Sequence, residues 1–343
     1  MSLLLALALA SSAPTLDGQI YFVRESSGDP SVYRVRPDGQ GLARVAEAPS
    51  FPYSASHDGR SIALVIDDRV MIASPDGRSR REVASGSARD GYPSFAPRRN
   101  EVIFESDRAS FRALFLFDGT TATRLTFDEQ GTFDGSFAPD GRSLVFSSSR
   151  AGRLDLYVAK LERDGGARLT NSRRLTNHPG DSVRGAFSAD GEWIAFISGR
   201  DGRDDLFLVR PDGSDLTNLT RSAPIIAVEE FVWSPRRAEL LAACRTHDLR
   251  SRIMLASPNQ GLREWPNHGS EGQPSWSPNG ERVAYVRSDG DRSDIHLARR
   301  DGSNPRPLVN PSLFRARADP LLGAGPAEPA ASFWRPRWLN VKE

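Results

Sequence analysis

Short runs in which apolar and polar residues alternate fill most of the chain, and turn residues separate them. One such unit is clear in 274–286, where Pro-Ser-Trp-Ser precedes the turn pair Asn279-Gly280 and the apolar run Val283 to Val286 follows. A period of two predicts antiparallel β-strands, and the 3.6-residue period of helices is not found. The pattern therefore predicts an all-β protein.

The unit recurs at intervals of about 40 to 50 residues, the spacing of propeller blades. The aromatic position of its first strand is found at Ala55, Phe95, Phe137, Phe187, Trp233, Trp276 and Trp338. Around Phe187, four short strands are separated by turns that include Asp190-Gly191 and Asp212-Gly213. Four strands per unit are typical of a blade. The Asp-Gly pairs predict two-residue hairpins whose central residues take a positive φ.

The two ends of the chain complement each other. The segment 18–45 predicts three strands of a blade without its first strand, and Pro336-Arg337-Trp338 matches Pro274-Ser275-Trp276 without further strands. We expect the C-terminal strand to complete the N-terminal blade, which leaves no open sheet edge in the ring. The prediction is a single seven-bladed β-propeller domain over 18–340, with six or eight blades as alternatives. An irregular Pro/Ala-rich loop at 310–332 either docks a partner or only delivers the last strand.

Two stretches carry a family resemblance. The residues Gly135 to Arg150, with the core Phe-Ala-Pro-Asp-Gly-Arg, and Leu175 to Asp181 resemble the TolB-type, WD40-like β-propeller repeat, and the resemblance covers roughly 18–340. The resemblance implies the fold rather than a role. TolB proteins resemble six-bladed propellers behind an α/β domain that engages periplasmic partners, whereas we expect seven blades and no such domain here. Other relatives with this repeat, oligogalacturonate lyase among them, resemble seven-bladed propellers with a metal near the funnel.

The composition argues against some classes of binding partner. Lys and Arg total 45 and Asp and Glu total 44, so no bulk charge attracts nucleic acid or an anionic membrane. Cys244 is the only cysteine, which excludes intrachain disulfides, and its apolar neighbours predict a core position. No apolar run reaches the length of a membrane span. Leu3 to Ala10, followed by Ser-Ser-Ala, resembles a secretory signal, so we expect a signal peptide at 1–13 and export to the periplasm, with a frayed N-terminus as the alternative.

Chain direction assigns two faces to the propeller. The hairpin face carries the turns between first and second and between third and fourth strands. The loop face carries the second-to-third strand loops and the connectors between blades, whose longer and more varied segments make it the expected functional face. The polar residues predicted to contact a partner there are Asp128, Glu129, His178, Asp181, Arg184, Glu229, Glu230, His268 and Glu271. Charge reversal at Arg184, Glu229 and Glu230 is expected to weaken partner binding without lowering the melting temperature.

Arginines recur at one position in three successive loops of that face: Arg108, Arg150 and Arg200. One interpretation is an arc that binds an anion. The alternative is that arginines pair with the acids five residues further on, Asp155 and Asp205, and close their own loops.

The histidines His178, His247 and His268 could hold zinc or manganese, although no two of them have the H-x-H or H-x-x-x-H spacing. No G-x-S-x-G elbow and no nucleotide-binding glycine loop occurs, so neither nucleophilic hydrolase chemistry nor nucleotide binding is expected, and no cofactor is predicted. The favoured hypothesis is a non-enzymatic exported propeller that binds a protein partner through its loop face. The alternatives are a metal-dependent polysaccharide lyase or hydrolase, and a glycan-binding propeller without turnover.

Overall fold

The structure, a computed structural model, describes residues 18–26, 29–47, 50–266, 269–289, 292–309 and 332–339. These residues form seven antiparallel sheets of four strands each, which confirms the seven-bladed propeller over the six- and eight-bladed alternatives. The predicted signal peptide, His268 and all but the last residue of the predicted 310–332 loop lie outside the described residues. No helix in the part that the structure describes is long and apolar enough to cross a membrane.

The blades are numbered from the N-terminus. Blade 1 contains β1 (Gln19–Ser26), β2 (Asp29–Val35) and β3 (Ala43–Ala46). Blade 2 contains β4 (Ser50–Ala55), β5 (Ile62–Ile66), β6 (Arg69–Ala73) and β7 (Arg80–Glu82). Blade 3 contains β8 (Asp90–Phe95), β9 (Val102–Ala109), β10 (Phe111–Phe117) and β11 (Ala122–Arg124). Blade 4 contains β12 (Thr132–Phe137), β13 (Ser143–Ser148), β14 (Asp155–Glu162) and β15 (Arg168–Arg174).

The remaining blades follow the same order. Blade 5 contains β16 (Ser182–Phe187), β17 (Ile194–Ser198), β18 (Asp205–Val209) and β19 (Thr217–Asn218). Blade 6 contains β20 (Ile225–Trp233), β21 (Leu240–Thr246), β22 (Ser251–Ser257) and β23 (Gly261–Glu264). Blade 7 contains β24 (Ser270–Trp276), β25 (Arg282–Asp289), β26 (Arg292–Arg299) and β27 (Arg306–Val309). The last strand of the chain is β28 (Ser332–Leu339).

Strand β28 closes the ring as the sequence predicts. It pairs antiparallel with β1, placing Gln19 opposite Leu339 and Glu25 opposite Ser332, so that blade 1 has the order β28-β1-β2-β3. Gly18 enters this junction with a φ of 98°, and a Cβ there would lie 2.3 Å from the Leu339 carbonyl oxygen. Only glycine fits both the backbone angle and the space.

The core consists of seven apolar clusters, one between each pair of neighbouring blades. The second strands of the blades are buried on both faces, because alternate side chains point to opposite neighbours. In β9, for example, Ile103 packs between blades 3 and 4 and Phe104 packs between blades 2 and 3. This two-sided burial explains why these strands appear in the sequence as nearly continuous apolar runs.

Tryptophans at the aromatic position of the first strand also join blades by hydrogen bonds. The Trp233 indole N–H donates to the Ala186 carbonyl at 2.9 Å, and the Trp276 indole N–H donates to the Val232 carbonyl at 3.2 Å. Each bond runs from one innermost strand to that of the preceding blade, which pairs a carbonyl that faces away from its own sheet.

The hairpin between β16 and β17 differs from the predicted two-residue turn in length and in backbone angle, since β16 ends at Phe187 and β17 begins at Ile194. At Ser188 to Gly191 the Gly191 N–H donates to the Ser188 carbonyl at 2.9 Å, and only Gly191 has a positive φ, 75°. Asp190 instead accepts hydrogen bonds on one carboxylate oxygen, from the Ser188 hydroxyl and the Glu192 N–H. The predicted positive φ at both Asp and Gly is therefore wrong here: the aspartate stabilises the turn through its side chain, and glycine alone supplies the left-handed residue.

Candidate functional site

The three recurring arginines occupy equivalent places on the loop face, each at or just beyond the end of a second strand. The guanidinium of each lies over two aromatic rings contributed by the second and third strands of its blade, at 4.3–5.7 Å from the ring centroids. Each also donates from Nε to a serine hydroxyl two residues earlier. The aromatic cradle and the serine fix the direction in which the guanidinium points.

Carboxylates occupy the open side of two of these arginines. Arg108 donates from Nη2 to both carboxylate oxygens of Asp90, at 2.9 and 2.8 Å. Arg150 donates from Nη2 to Asp128 at 2.6 Å. Asp90 begins the first strand of blade 3, whereas Asp128 lies in the connector between blades 3 and 4. Two different positions in the repeat thus deliver a carboxylate to the same place.

Arg200 differs from the other two arginines. Its Nη2 donates to the Ser182 hydroxyl at 3.0 Å, and no ion pair joins it to a carboxylate of the described residues. Ser182 stands where blade 3 has Asp90, and His178 stands where blade 4 has Asp128, four residues before the first strand. Burial lowers the pKa of the Arg200 guanidinium.

The predicted loop-closing pairs of Arg150 with Asp155 and of Arg200 with Asp205 are not formed. Asp155 is fully buried and accepts hydrogen bonds from Arg174 and from the Thr176 hydroxyl, the latter at 3.0 Å. That same hydroxyl accepts the Leu156 N–H at 2.9 Å, which ties the end of β15 to the start of β14. The aspartate turns into the blade because its strand places it opposite the threonine.

Blade 5 repeats this arrangement. Asp205 accepts hydrogen bonds from Arg203 at 3.0 Å and from the Thr220 hydroxyl at 2.6 Å. The Thr220 hydroxyl accepts the Leu206 N–H at 3.0 Å. These aspartates therefore stabilise blades internally and are not partners of Arg150 or Arg200.

The residues of the predicted partner-binding rim fall into different environments. Glu129 is exposed, and Asp128 is engaged by the Thr132 and Ser148 hydroxyls as well as by Arg150. Asp181 accepts the Leu154 N–H at 3.1 Å. Glu230 is half-buried, and Glu271 is fully buried, so the structure does not present the Glu271 carboxylate on the rim.

Arg184 and Glu229 belong to a bonded belt around the central channel. The exposed Arg184 donates from Nη1 to the Glu229 backbone carbonyl at 2.7 Å, crossing from blade 5 to blade 6. The Glu229 carboxylate accepts hydrogen bonds from Arg245 and, at 2.5 Å, from the Ser251 hydroxyl. Charge reversal at Glu229 would leave Arg245 facing a like charge, so it cannot be expected to spare the melting temperature.

Glu105 extends this belt to blade 3 and was not singled out in the sequence. Its carboxylate accepts the Asp134 N–H at 2.8 Å and the Arg112 Nε at 3.0 Å. Asp134 has a φ of 55° at a bulge of β12, and its carboxylate accepts the Arg184 N–H at 3.1 Å. Burial raises the pKa of Glu105. The signal available in the sequence is a glutamate that follows three apolar residues inside a strand.

Exposed apolar side chains are concentrated on the loop face, which the sequence pattern did not reveal. Six large apolar side chains among the described residues are strongly exposed, and five lie at the loop-face ends of their blades: Tyr92, Phe111, Phe127, Ile226 and Leu249. The sixth, Leu216, lies on the hairpin face. Phe127 is 71% exposed and packs against the Arg124 guanidinium at 4.8 Å, and Leu249 is 70% exposed.

A cavity of about 660 Å³ opens beside blade 6. It is lined by Pro224, Thr246, His247, Asp248, Arg252, Met254, Glu264, Trp265 and Pro266. Thr246 to Asp248 form part of the second-to-third strand loop, and Pro224 and Pro266 belong to connectors. The cavity thus lies at the loop-face end of blade 6.

The predicted metal ligands are only partly described. His178 accepts the Gly180 N–H on Nδ1 at 3.2 Å, and His247 lines the cavity of blade 6. Within the described ranges, no group of three or more His, Cys, Asp or Glu side chains is arranged to hold a metal ion. With His268 outside those ranges, the three-histidine site stays a prediction.

Cys244 is fully buried, and burial raises the pKa of its thiol to about 12. The thiolate is the reactive form of cysteine, so this environment is the opposite of the one that activates a nucleophile. The predicted core position is confirmed.

The family profile described as the TolB beta propeller domain matches residues 126–316. The chain belongs to this family. Among curated proteins, the Tol-Pal system protein TolB of Gluconobacter oxydans is 28% identical over 106 residues, which are 30% of this chain and 23% of that protein. The probable dipeptidyl-peptidase 5 of Aspergillus terreus is 29% identical over 147 residues, which are 38% of this chain and 19% of that protein. The chain therefore matches less than a quarter of the length of either relative.

Solved structures resemble the whole propeller. TolB from Acinetobacter baumannii is 17% identical with a TM-score of 0.54, covering 92% of this chain and 80% of its own. A puromycin-hydrolyzing peptidase of Mycobacterium tuberculosis has a TM-score of 0.61 at 14% identity, and the match covers 86% of this chain and 53% of the peptidase. The oligogalacturonate lyase of Vibrio parahaemolyticus has a TM-score of 0.62 at 11% identity, and the match covers 82% of this chain and 86% of the lyase. Since the names describe different activities, the likeness shows the fold alone.

Proposed function

We propose that this protein is a non-enzymatic, exported propeller of the bacterial cell envelope that binds a protein partner on its loop face. The observation that carries the proposal is the concentration of five exposed apolar side chains on that face, with one on the hairpin face. Exposed apolar groups within a polar rim are typical of interaction surfaces, and aromatic residues and arginine are enriched in them.

The geometry of the loop face supports this function in two further ways. Phe127, Tyr92 and Phe111 belong to blade 3 and the connector that follows it, so three aromatic side chains project from one sector of the rim. The hydrogen bonds that join Glu105, Asp134, Arg184 and Glu229 link four successive blades along the same face. A surface held this firmly binds without a large ordering cost.

The family relation supports the envelope location. The TolB relative is named as a Tol-Pal system protein, and the predicted signal peptide of this chain agrees with export. Fractionation of native cells, followed by immunoblotting for the processed chain, tests this part. Recovery in the cytoplasmic fraction alone would contradict it.

The binding proposal is tested by affinity capture from envelope extracts, with bound proteins quantified by mass spectrometry. Phe127→Ser and Leu249→Ser remove the two most exposed apolar side chains of the loop face, and Leu216→Ser, at 49% exposure on the hairpin face, is the matched control. We expect a partner that either loop-face variant depletes and the control retains. All three changes lie on the surface, so the free energy of unfolding should stay within about 0.5 kcal/mol of wild type.

Retention of every captured protein by both loop-face variants would refute the assignment of this face. Equal losses in the Leu216→Ser control would show that the capture is not specific to it.

A further inference from the structure

Three equivalent arginines on the loop face provide an internal comparison. In blades 3 and 4 a carboxylate of the chain itself completes the arginine site, through Asp90 and Asp128. In blade 5 the same aromatic cradle and the same serine hold Arg200, but Ser182 and His178 replace the two acids. The comparison therefore shows that a carboxylate fits beside this arginine, and that blade 5 does not supply one from the described residues.

The energetics of Arg200 favour an external partner. A guanidinium that is withdrawn from water without a counterion loses hydration that only hydrogen bonding and an opposite charge restore. Its Nε and Nη2 are satisfied by the hydroxyls of Ser198 and Ser182, which supply no negative charge. Arg203, the next arginine in the loop, donates instead to Asp205 and to the backbone carbonyls of the connector to blade 6.

The segments beside Arg200 bring no bonded carboxylate of the described residues to it. Gly180 packs against the Arg200 backbone so closely that an added Cβ would lie 2.6 Å from the Arg200 Cα. The connector thus passes beside the arginine, and Asp201 and Gly202 beyond it are exposed. Asp201 accepts a hydrogen bond from Asn218 at 2.8 Å and pairs with Arg221, which holds its carboxylate on other partners.

We propose that Arg200 is a carboxylate-binding site for a polypeptide, in which a carboxylate of the partner takes the place that Asp90 and Asp128 fill in blades 3 and 4. The inference deepens the proposed function, on which it rests, by stating one chemical feature of the partner. The carboxylate comes from an acidic side chain or from a chain terminus, and the hydrogen bonds and charge it meets are the same in both cases.

The test uses fluorescently labelled peptides and anisotropy at low ionic strength, where such pairs are least screened. Hexaglutamate with an amidated end presents side-chain carboxylates, hexaglutamine with a free end presents a terminal carboxylate, and amidated hexaglutamine presents neither. We expect the wild-type protein to bind at least one of the first two peptides and not the third. Arg200→Gln should weaken that binding by about tenfold or more, as loss of a charged hydrogen bond does.

Two further variants control for charge and for folding. Arg78→Gln also removes one positive charge, from a side chain that is 89% exposed on the hairpin face, and should bind as wild type does. His178→Asp rebuilds the Asp128 arrangement inside blade 5, so it should both block the peptide and raise the melting temperature. In an Arg200→Gln background, His178→Asp should leave the melting temperature unchanged, because the arginine that would pair with the aspartate is absent.

The proposal is overturned if Arg200→Gln binds the peptides as tightly as wild type does, or if Arg78→Gln loses as much peptide affinity as Arg200→Gln. It is also overturned if wild type shows no saturable binding to either carboxylate peptide. Its failure is separable from that of the proposed function. Peptide binding without any captured partner removes only the partner proposal, and a partner lost in Phe127→Ser without peptide binding removes only the Arg200 site.

Discussion

Removal of strand β28 should open the ring and strongly destabilise the protein. The perturbation is deletion of residues 332–343, which leaves β1 paired with β2 alone, as an open edge of blade 1. Six residue pairs of the β1–β28 ladder are lost. At a net contribution of about 0.5–1.5 kcal/mol per hydrogen bond, the backbone alone accounts for several kcal/mol.

Lost packing adds to this effect. Leu339 is 8% exposed and packs with Tyr21 and Ile62 in the cluster between blades 1 and 2. Deleting a buried leucine side chain costs about 2–5 kcal/mol. We therefore expect the free energy of unfolding to fall by at least about 5 kcal/mol, a large fraction of the 5–15 kcal/mol typical of a folded protein.

The assay is urea unfolding followed by circular dichroism, which does not depend on the tryptophans that the deletion removes. Deletion of residues 340–343 alone is the control and should leave the midpoint unchanged, since the paired strand stays. Leu339→Ala measures how much the packing of this side chain contributes to the free energy of unfolding, because the β1–β28 ladder stays intact. If the chain lacking 332–343 unfolds at the wild-type urea concentration with an unchanged m-value, β28 does not close the ring.

Three other residues give separate predictions. Trp276→Phe leaves the Val232 carbonyl without its indole donor, so thermal unfolding should show a loss of about 1–3 kcal/mol, and an unchanged melting temperature would contradict the interblade bond. Because burial raises the pKa of Glu105, the folded state binds its proton more readily than the unfolded state. As pH falls through that raised pKa toward about 4.3, wild type should gain stability relative to Glu105→Gln; urea midpoints that shift in parallel would refute this. Cys244, with a thiol pKa of about 12, should resist iodoacetamide at pH 8 until urea unfolds the protein, and rapid alkylation of the native state would place it outside the core.

The loop face combines rigid and open positions in one repeat. Where a blade supplies its own acid, as with Asp90 beside Arg108, the arginine stabilises the loop. Where the acid is replaced, as at Ser182 and His178, the same scaffold holds Arg200 without a bonded carboxylate of the described residues. Variation of one or two residues in a repeat can thus convert a structural contact into a binding position without changing the blade.

The sequence by itself predicted the strands, a count of seven blades and the closure by β28, and the structure excluded the six- and eight-bladed alternatives. These features depend on local signals, namely the period of two, the glycines of the turns and the match between Trp338 and Trp276, which hold whatever the neighbours are. The loop face as a set of segments also followed from chain direction alone.

Only the tertiary structure decided which side chains of that face are paired. Asp155 and Asp205 lie five residues after Arg150 and Arg200, yet they bond to threonines just beyond the fourth strands of their blades. Glu271 is buried, and no acid of the described residues pairs with Arg200. Ion pairs, burial and exposed apolar side chains depend on distances between strands that are far apart in sequence. Because the pairing of blades sets those distances, no pattern along the chain could reveal them.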